Sequence, residues 1–219
     1  MKSSLFSLHH QSQRSKAVTL LESLCVILIL SLLLALAAPP MLSIIRASRL
    51  TAAGEFLTGK LVEAQGLAIT FSSDVELRFY KAPSAVTADG RSGQAVQLFH
   101  WVEGDADASS TEEETSHAAT QLEKIGPRET LPDGIALSEN PDFSSVWTLP
   151  SEEELAADGS REYVAIRFRP DGSTDLPEVG VWHFTLIEHP AVSSEKLPVN
   201  FYTVQIDPVT AKLEVYRPE

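Results

Sequence analysis

The run Val18–Ala38, VTLLESLCVILILSLLLALAA, constrains this chain more than any other feature. It holds 21 residues with a single charge, Glu22. As a helix it spans ~31 Å, close to the ~30 Å hydrocarbon core of a bilayer. A helix that is apolar all round needs lipid or other apolar helices on every side. No other segment of the chain is apolar enough to surround it, so the run predicts a transmembrane segment over 18–38 rather than a core helix. The stretch before it carries Lys2, Arg14 and Lys16 and no acid, whereas Arg46, Arg49 and Lys60 follow it. That small imbalance favours a cytoplasmic N-terminus, and so a head on the outer side of the membrane.

Three readings of the run compete. Ala35-Leu36-Ala37 fits a secretory cleavage site, but the run exceeds the 7–15 residues typical of a signal peptide and encloses Glu22. An uncleaved signal anchor is the second. The third turns on Glu22, because a carboxylate at bilayer depth costs ~2–3 kcal/mol and must be compensated or lie at the interface.

Ala17-Val18-Thr19-Leu20-Leu21-Glu22 resembles the processing motif of type IV prepilins and type II secretion pseudopilins. The resemblance implies a leader over 1–17, cut by a prepilin peptidase after Ala17, where the family usually has Gly. It implies N-methylation of Val18, where Phe is usual. It makes Glu22 the fifth mature residue and an assembly residue. A fixed cation on Val18 of one subunit could then meet Glu22 of a staggered neighbour. Such a pair adds little net stability but is expensive to leave half-made, so it selects register. Pro39 falls where pilins often carry a helix-loosening proline. Pro39 and Pro40 both lack an N–H and clash with the preceding turn, which predicts a kink or a melted turn.

Helical spacing resumes after the prolines. Leu50, Ala53, Leu57, Leu61, Ala64 and Ala68 form one seam, interrupted in sequence by Gly54, Gly59 and Gly66. Each glycine weakens a helix by up to ~1 kcal/mol relative to Ala, so the seam is expected to gain its stability by packing on a sheet. The expected helix covers 18–70, a rod of roughly 80 Å.

Residues 71–219 are expected to form the head, and all aromatics but Phe6 and Phe56 lie there. Alternation with period two marks strands at Val75–Tyr80, Ala95–Val102, Tyr163–Phe168, Val181–Ile187 and a hairpin Phe201–Tyr216 turning at Asp207–Thr210. Pro132-Asp133-Gly134 and Pro170-Asp171-Gly172 mark further turns. The fold class is therefore α+β, a long N-terminal helix on an antiparallel sheet. Two acidic stretches, Glu103–Glu114 and Ser151–Asp158, read as solvated loops or short exposed helices. Calcium at Asp105 and Asp107 is the minor alternative, since the spacing lacks a complete loop pattern.

The head extends the resemblance. Phe168-Arg169-Pro170-Asp171-Gly172-Ser173 looks like the F-x-P-x-G turn of GspH/FimT-like pseudopilins, and Ile206–Thr210 followed by a strand is similar to their ending. Leu50–Leu67, Val75–Tyr80, Gln97–Phe99, Leu131–Ile135 and Phe201–Tyr216, in that order, resemble the Verru_Chthon cassette protein D family, which is itself pseudopilin-like. The fold implied is pilin-like.

Recognisable chemistry is missing from the sequence. Cys25 is the only cysteine, which excludes an intramolecular disulfide and a cysteine zinc site. His9, His10, His100, His117, His183 and His189 form no H-x-x-x-H pair, and there is no nucleophile elbow, P-loop or dinucleotide fingerprint. No enzyme, cofactor or metal is expected. The net charge of −13 disfavours nucleic acid, and loss of the leader removes three cations and no acid. The function expected is a non-catalytic pseudopilin-like subunit in the inner membrane of a bacterium. Its head would be periplasmic, and its partners other pilin subunits and the prepilin peptidase. The alternatives are a pilin-like binding module for DNA uptake or adhesion, and an anchored or secreted protein with an ordinary signal peptide. DNA binding would need Arg161, Arg167, Arg169, Lys196, Lys212 and Arg217 on one face.

Overall fold

The computed structural model describes residues 19–82, 94–103, 120–156, 159–188 and 195–218, and within these not the side chains of 35–43, 103, 120, 156 and 159. The chain divides into two compact units, Met1–Ile44 and Ile45–Glu219. One helix, α1 (Leu20–Phe71), runs through the boundary. Among the described residues nine strands follow: β1 (Val75–Tyr80), β2 (Ala95–Glu103), β3 (Thr120–Thr130), β4 (Ile135–Leu137), β5 (Ser151–Ala156), β6 (Gly159–Phe168), β7 (Trp182–Glu188), β8 (Tyr202–Ile206) and β9 (Leu213–Tyr216). They form two antiparallel sheets, ordered β3-β2-β1-β6-β5 and β4-β7-β8-β9. The class is α+β, as the change of hydrophobic period predicts.

The seam behaves as its spacing requires. Leu50, Ala53, Leu57, Leu61, Ala64 and Ala68 are all buried, in one core with Val75, Leu77 and Phe79 of β1, Val164 and Ile166 of β6, and Phe184 and Val204 of the second sheet. The helix thus packs on the inner faces of both sheets. Gly54 has a packing reason as well as a helical cost. A Cβ there would fall 2.4 Å from the Tyr202 ring, so only glycine lets α1 approach β8 this closely. Gly59 and Gly66 have nothing within 4 Å of an added Cβ.

Both predicted turns form, with Gly134 at φ 82° and Gly172 at φ 85°. The terminal hairpin β8–β9 turns at Asp207, whose Oδ1 accepts the Val209 and Thr210 N–H groups at 3.1 and 2.8 Å.

The second acidic stretch departs from expectation. Ser151–Ala156 is neither loop nor helix but the edge strand β5, paired antiparallel with β6. Glu152 and Glu154 point to one face, where Tyr163 and Tyr80 donate hydroxyl hydrogen bonds to them. Cross-strand partners make an acidic strand tenable, and such partners leave no mark on local composition. The first acidic stretch lies, from residue 104, outside the described residues. Strand β3 was also not expected, because its charges and Gly126-Pro127 mask its alternation. The pairing of β2 with β3 shifts register between Val96 and Leu98, and Gln97 Nε2 donates to Gly126 O at 3.1 Å there.

The helix continues through Pro39 and Pro40, so no turn melts there. The two missing N–H groups still remove the bonds that Ala35 and Leu36 carbonyls would accept.

Candidate functional site

The start of α1 is capped by the motif that suggested processing. Thr19 Oγ1 accepts the Glu22 N–H at 3.2 Å, and Thr19 O accepts the Ser23 N–H at 3.1 Å. Thr19 is therefore the N-cap and Glu22 the third helical residue, the only acid in the first turn. Thr-x-x-Glu is also the capping-box sequence, and the half of it seen here is the Thr19 hydroxyl on the Glu22 N–H, a local role for Thr19 that the processing reading does not include. The carboxylate lies at the positive end of the helix dipole. Glu22 is exposed among the side chains of its own unit. Ala17 and Val18 lie outside the described residues, as do the side chains of Pro39 and Pro40.

Around Glu22 and beyond it the helix presents apolar side chains in every direction. Leu20, Leu21, Leu24, Ile27, Leu28 and Leu34 are between 59% and 84% exposed. Cys25 is exposed among them. Among the described residues no helix is long and apolar enough to cross a membrane. The described apolar side chains run over Leu20–Leu34, ~22 Å of helix, and the rest of the expected span lies outside them.

The two turn motifs in the head come together on the helix. Gln65 Nε2 of α1 donates to Gly172 O at 3.0 Å and to Thr210 O at 3.2 Å. Thr174 Oγ1 donates to Pro208 O at 2.6 Å and links the same turns directly. The F-x-P-x-G and D-P-x-T turns are thus one structural assembly, which their separation in sequence hides.

The outer face of the five-stranded sheet holds most of the buried charge among the described residues. Arg78 of β1 lies 4.1 Å from the Phe99 ring centroid and 4.3 Å from that of Tyr163, and its Nε donates to Glu76 Oε1 at 2.6 Å. Arg128 stands 4.2 Å over Tyr80, and Arg167 4.7 Å over Trp101. The guanidinium groups cover the rings, and Tyr80, Phe99 and Tyr163 are buried on a face that no described helix covers. Glu154 takes a hydrogen bond from Tyr80 and lies 3.4 Å from Lys124 Nζ, 3.5 Å from Arg128 Nη2 and 3.7 Å from Arg78 Nη1. Partial burial alone would raise the Glu154 pKa. The Tyr80 hydrogen bond and the Lys124 charge outweigh it and hold the carboxyl below its ordinary value. Burial, then the bond to Glu154, pushes Tyr80 up to about 12. A cleft of about 330 Å³ opens beside this network, lined in part by Glu76, Glu152, Tyr163, Arg167 and Asp175.

Among the described residues no group of His, Cys, Asp and Glu is placed to hold a metal ion. His100 Nε2 meets Glu123 Oε2 at 3.1 Å and its ring packs on Phe71, while the backbone N–H of His183 donates to Ser145 Oγ. Asp105, Asp107, His9, His10, His117 and His189 lie outside the described residues. The cations that DNA capture would need do not stand bare. Arg167 faces Glu76, Arg169 binds Thr174 O, Lys212 pairs with Glu214, and Arg217 binds Thr51.

Comparison with protein-family models, with curated proteins and with solved structures finds no match to this chain.

Proposed function

We propose that the chain is a pseudopilin-like structural subunit of a type II secretion or type IV pilus-like filament. The observation that carries this reading is the division of labour along α1. Its early stretch, Leu20–Leu34, exposes large apolar side chains all round, whereas Leu50–Ala68 is a buried seam of the antiparallel head. An exposed apolar helix of this kind is stable only in lipid or against similar helices. A helix that anchors and polymerises at one end while forming the core of a head at the other is what a pilin-like subunit needs.

In this reading prepilin peptidase cuts after Ala17, and Val18 becomes a methylated cationic N-terminus. The span 18–38 holds the subunit in the inner membrane with the head in the periplasm. Thr19 fixes the helix start and leaves the Glu22 carboxylate free to meet a neighbour's amine. The work is mechanical, and no catalysis is involved.

Glu22→Ala tests the role of the carboxylate. The variant is expected to insert into membranes as the parent does but to lose co-assembly with its partner subunits, read by crosslinking in membranes. Normal co-assembly of the variant removes the charge-register mechanism.

A further inference from the structure

The five-stranded sheet has an unusual relationship between its two edges. β3 and β5 are separated by three strands, ~19 Å in a flat sheet at ~4.8 Å per strand. That distance exceeds the combined reach of one arginine and one glutamate side chain. Yet Lys124 and Arg128 of β3 meet Glu154 of β5 at 3.4 and 3.5 Å. The sheet must therefore coil until opposite edges approach across its outer face. The bulge at Gly126-Pro127 lies on β3 itself, where an irregularity of this kind increases local twist.

We infer that Glu154 is an electrostatic latch that holds the coiled sheet closed over its aromatic floor and keeps edge strand β5 in place. Several features of the geometry converge on this. Among the described residues β5 has one strand neighbour, β6, and none on its free side supplies a ladder. Its other ties across the face run through Glu154, to Tyr80 and Arg78 of β1 and to Lys124 and Arg128 of β3. Glu152, by contrast, meets Tyr163 on the adjacent strand. The charged and hydroxyl groups on this face come from four of the five strands: Glu76, Arg78 and Tyr80 on β1, Lys124 and Arg128 on β3, Glu152 and Glu154 on β5, and Tyr163 and Arg167 on β6. Three cations converge on Glu154, so loss of its charge leaves Arg78, Lys124 and Arg128 repelling one another. The face then opens and its rings become accessible.

Glu154→Gln tests the latch. Glutamine keeps the shape and the acceptor for Tyr80 but removes the charge. Hydrogen exchange is measured on the full chain in detergent micelles at neutral pH, with Glu153→Gln, from the opposite face of β5, as control. The latch predicts that amides of β5 and of their β6 partners exchange about 10-fold faster in Glu154→Gln, a change of ~1.4 kcal/mol in opening free energy. The same acceleration is predicted for the parent protein in 1 M salt, which screens the pairs. β7 and β8 are predicted to be unchanged, as is Glu153→Gln throughout. Parent-like protection of β5 in Glu154→Gln overturns the inference. So does equal acceleration in Glu153→Gln, which would make the effect one of strand charge rather than of the latch.

Discussion

Gln65 of the helix holds Gly172 of the β6–β7 turn, its Nε2 donating to the glycine carbonyl at 3.0 Å while sharing a second bond with Thr210 O. One amide thereby fixes two turns and the helix in a single arrangement. Gln65→Ala leaves the buried Gly172 carbonyl without this donor and is expected to lower stability by about 1–2 kcal/mol, measured by denaturant unfolding. Gly172→Ala is expected to cost a similar amount for a different reason. Its φ of 85° is strained for any residue with a Cβ.

The three glycines of the head-embedded stretch of α1 should respond with opposite signs. Gly59→Ala and Gly66→Ala add a methyl to open space and are expected to raise stability by about 0.5–1 kcal/mol each, seen as a higher thermal midpoint. Gly54→Ala drives a Cβ into the Tyr202 ring and is expected to lower it. Thermal melts of the three variants separate helix propensity from packing.

Gln94 supplies a missing piece of sheet. Its side-chain amide accepts the Leu137 N–H at 2.6 Å and donates to the Leu137 carbonyl at 3.1 Å, so it pairs with β4 as a neighbouring strand would. Gln94 is 2% exposed, and its loss leaves both backbone groups of Leu137 unpaired in the interior. Gln94→Ala is expected to cost about 2–4 kcal/mol in equilibrium unfolding, more than truncation of an exposed glutamine elsewhere.

Acid should weaken the head through Glu154. Its folded pKa lies below the ordinary glutamate value of 4.5, so its contribution is fully present above that value. The contribution is lost as pH falls through the lower, folded value. Stability measured against pH is expected to fall below about 4.5, with a smaller fall in Glu154→Gln.

The sequence made legible whatever rests on local period. The Leu50–Ala68 seam, strand β1 and the turns at Gly134 and Gly172 all form where spacing and turn chemistry place them, because each depends on residues a few positions apart. The misses share another physical cause. β5 reads as a solvated acidic loop until Tyr80, Arg78 and Tyr163 arrive from distant strands to satisfy its carboxylates. β3 hides its alternation behind Lys124, Gly126, Pro127 and Arg128. The pairing of Gln94 with Leu137, and of two turns at Gln65, depends on tertiary placement alone. At the N-terminus the Thr19–Glu22 cap was readable from spacing, but the resemblance to a processing motif drew attention to a different use of the same residues.

The N-terminal helix as a processed assembly handle is tested most directly by intact-mass and N-terminal peptide mass spectrometry of the protein extracted from membranes. The expected product is a mature chain that begins at Val18 with a methylated amine. A chain that retains Met1, or one cut after Ala37 and released from the membrane, would contradict it.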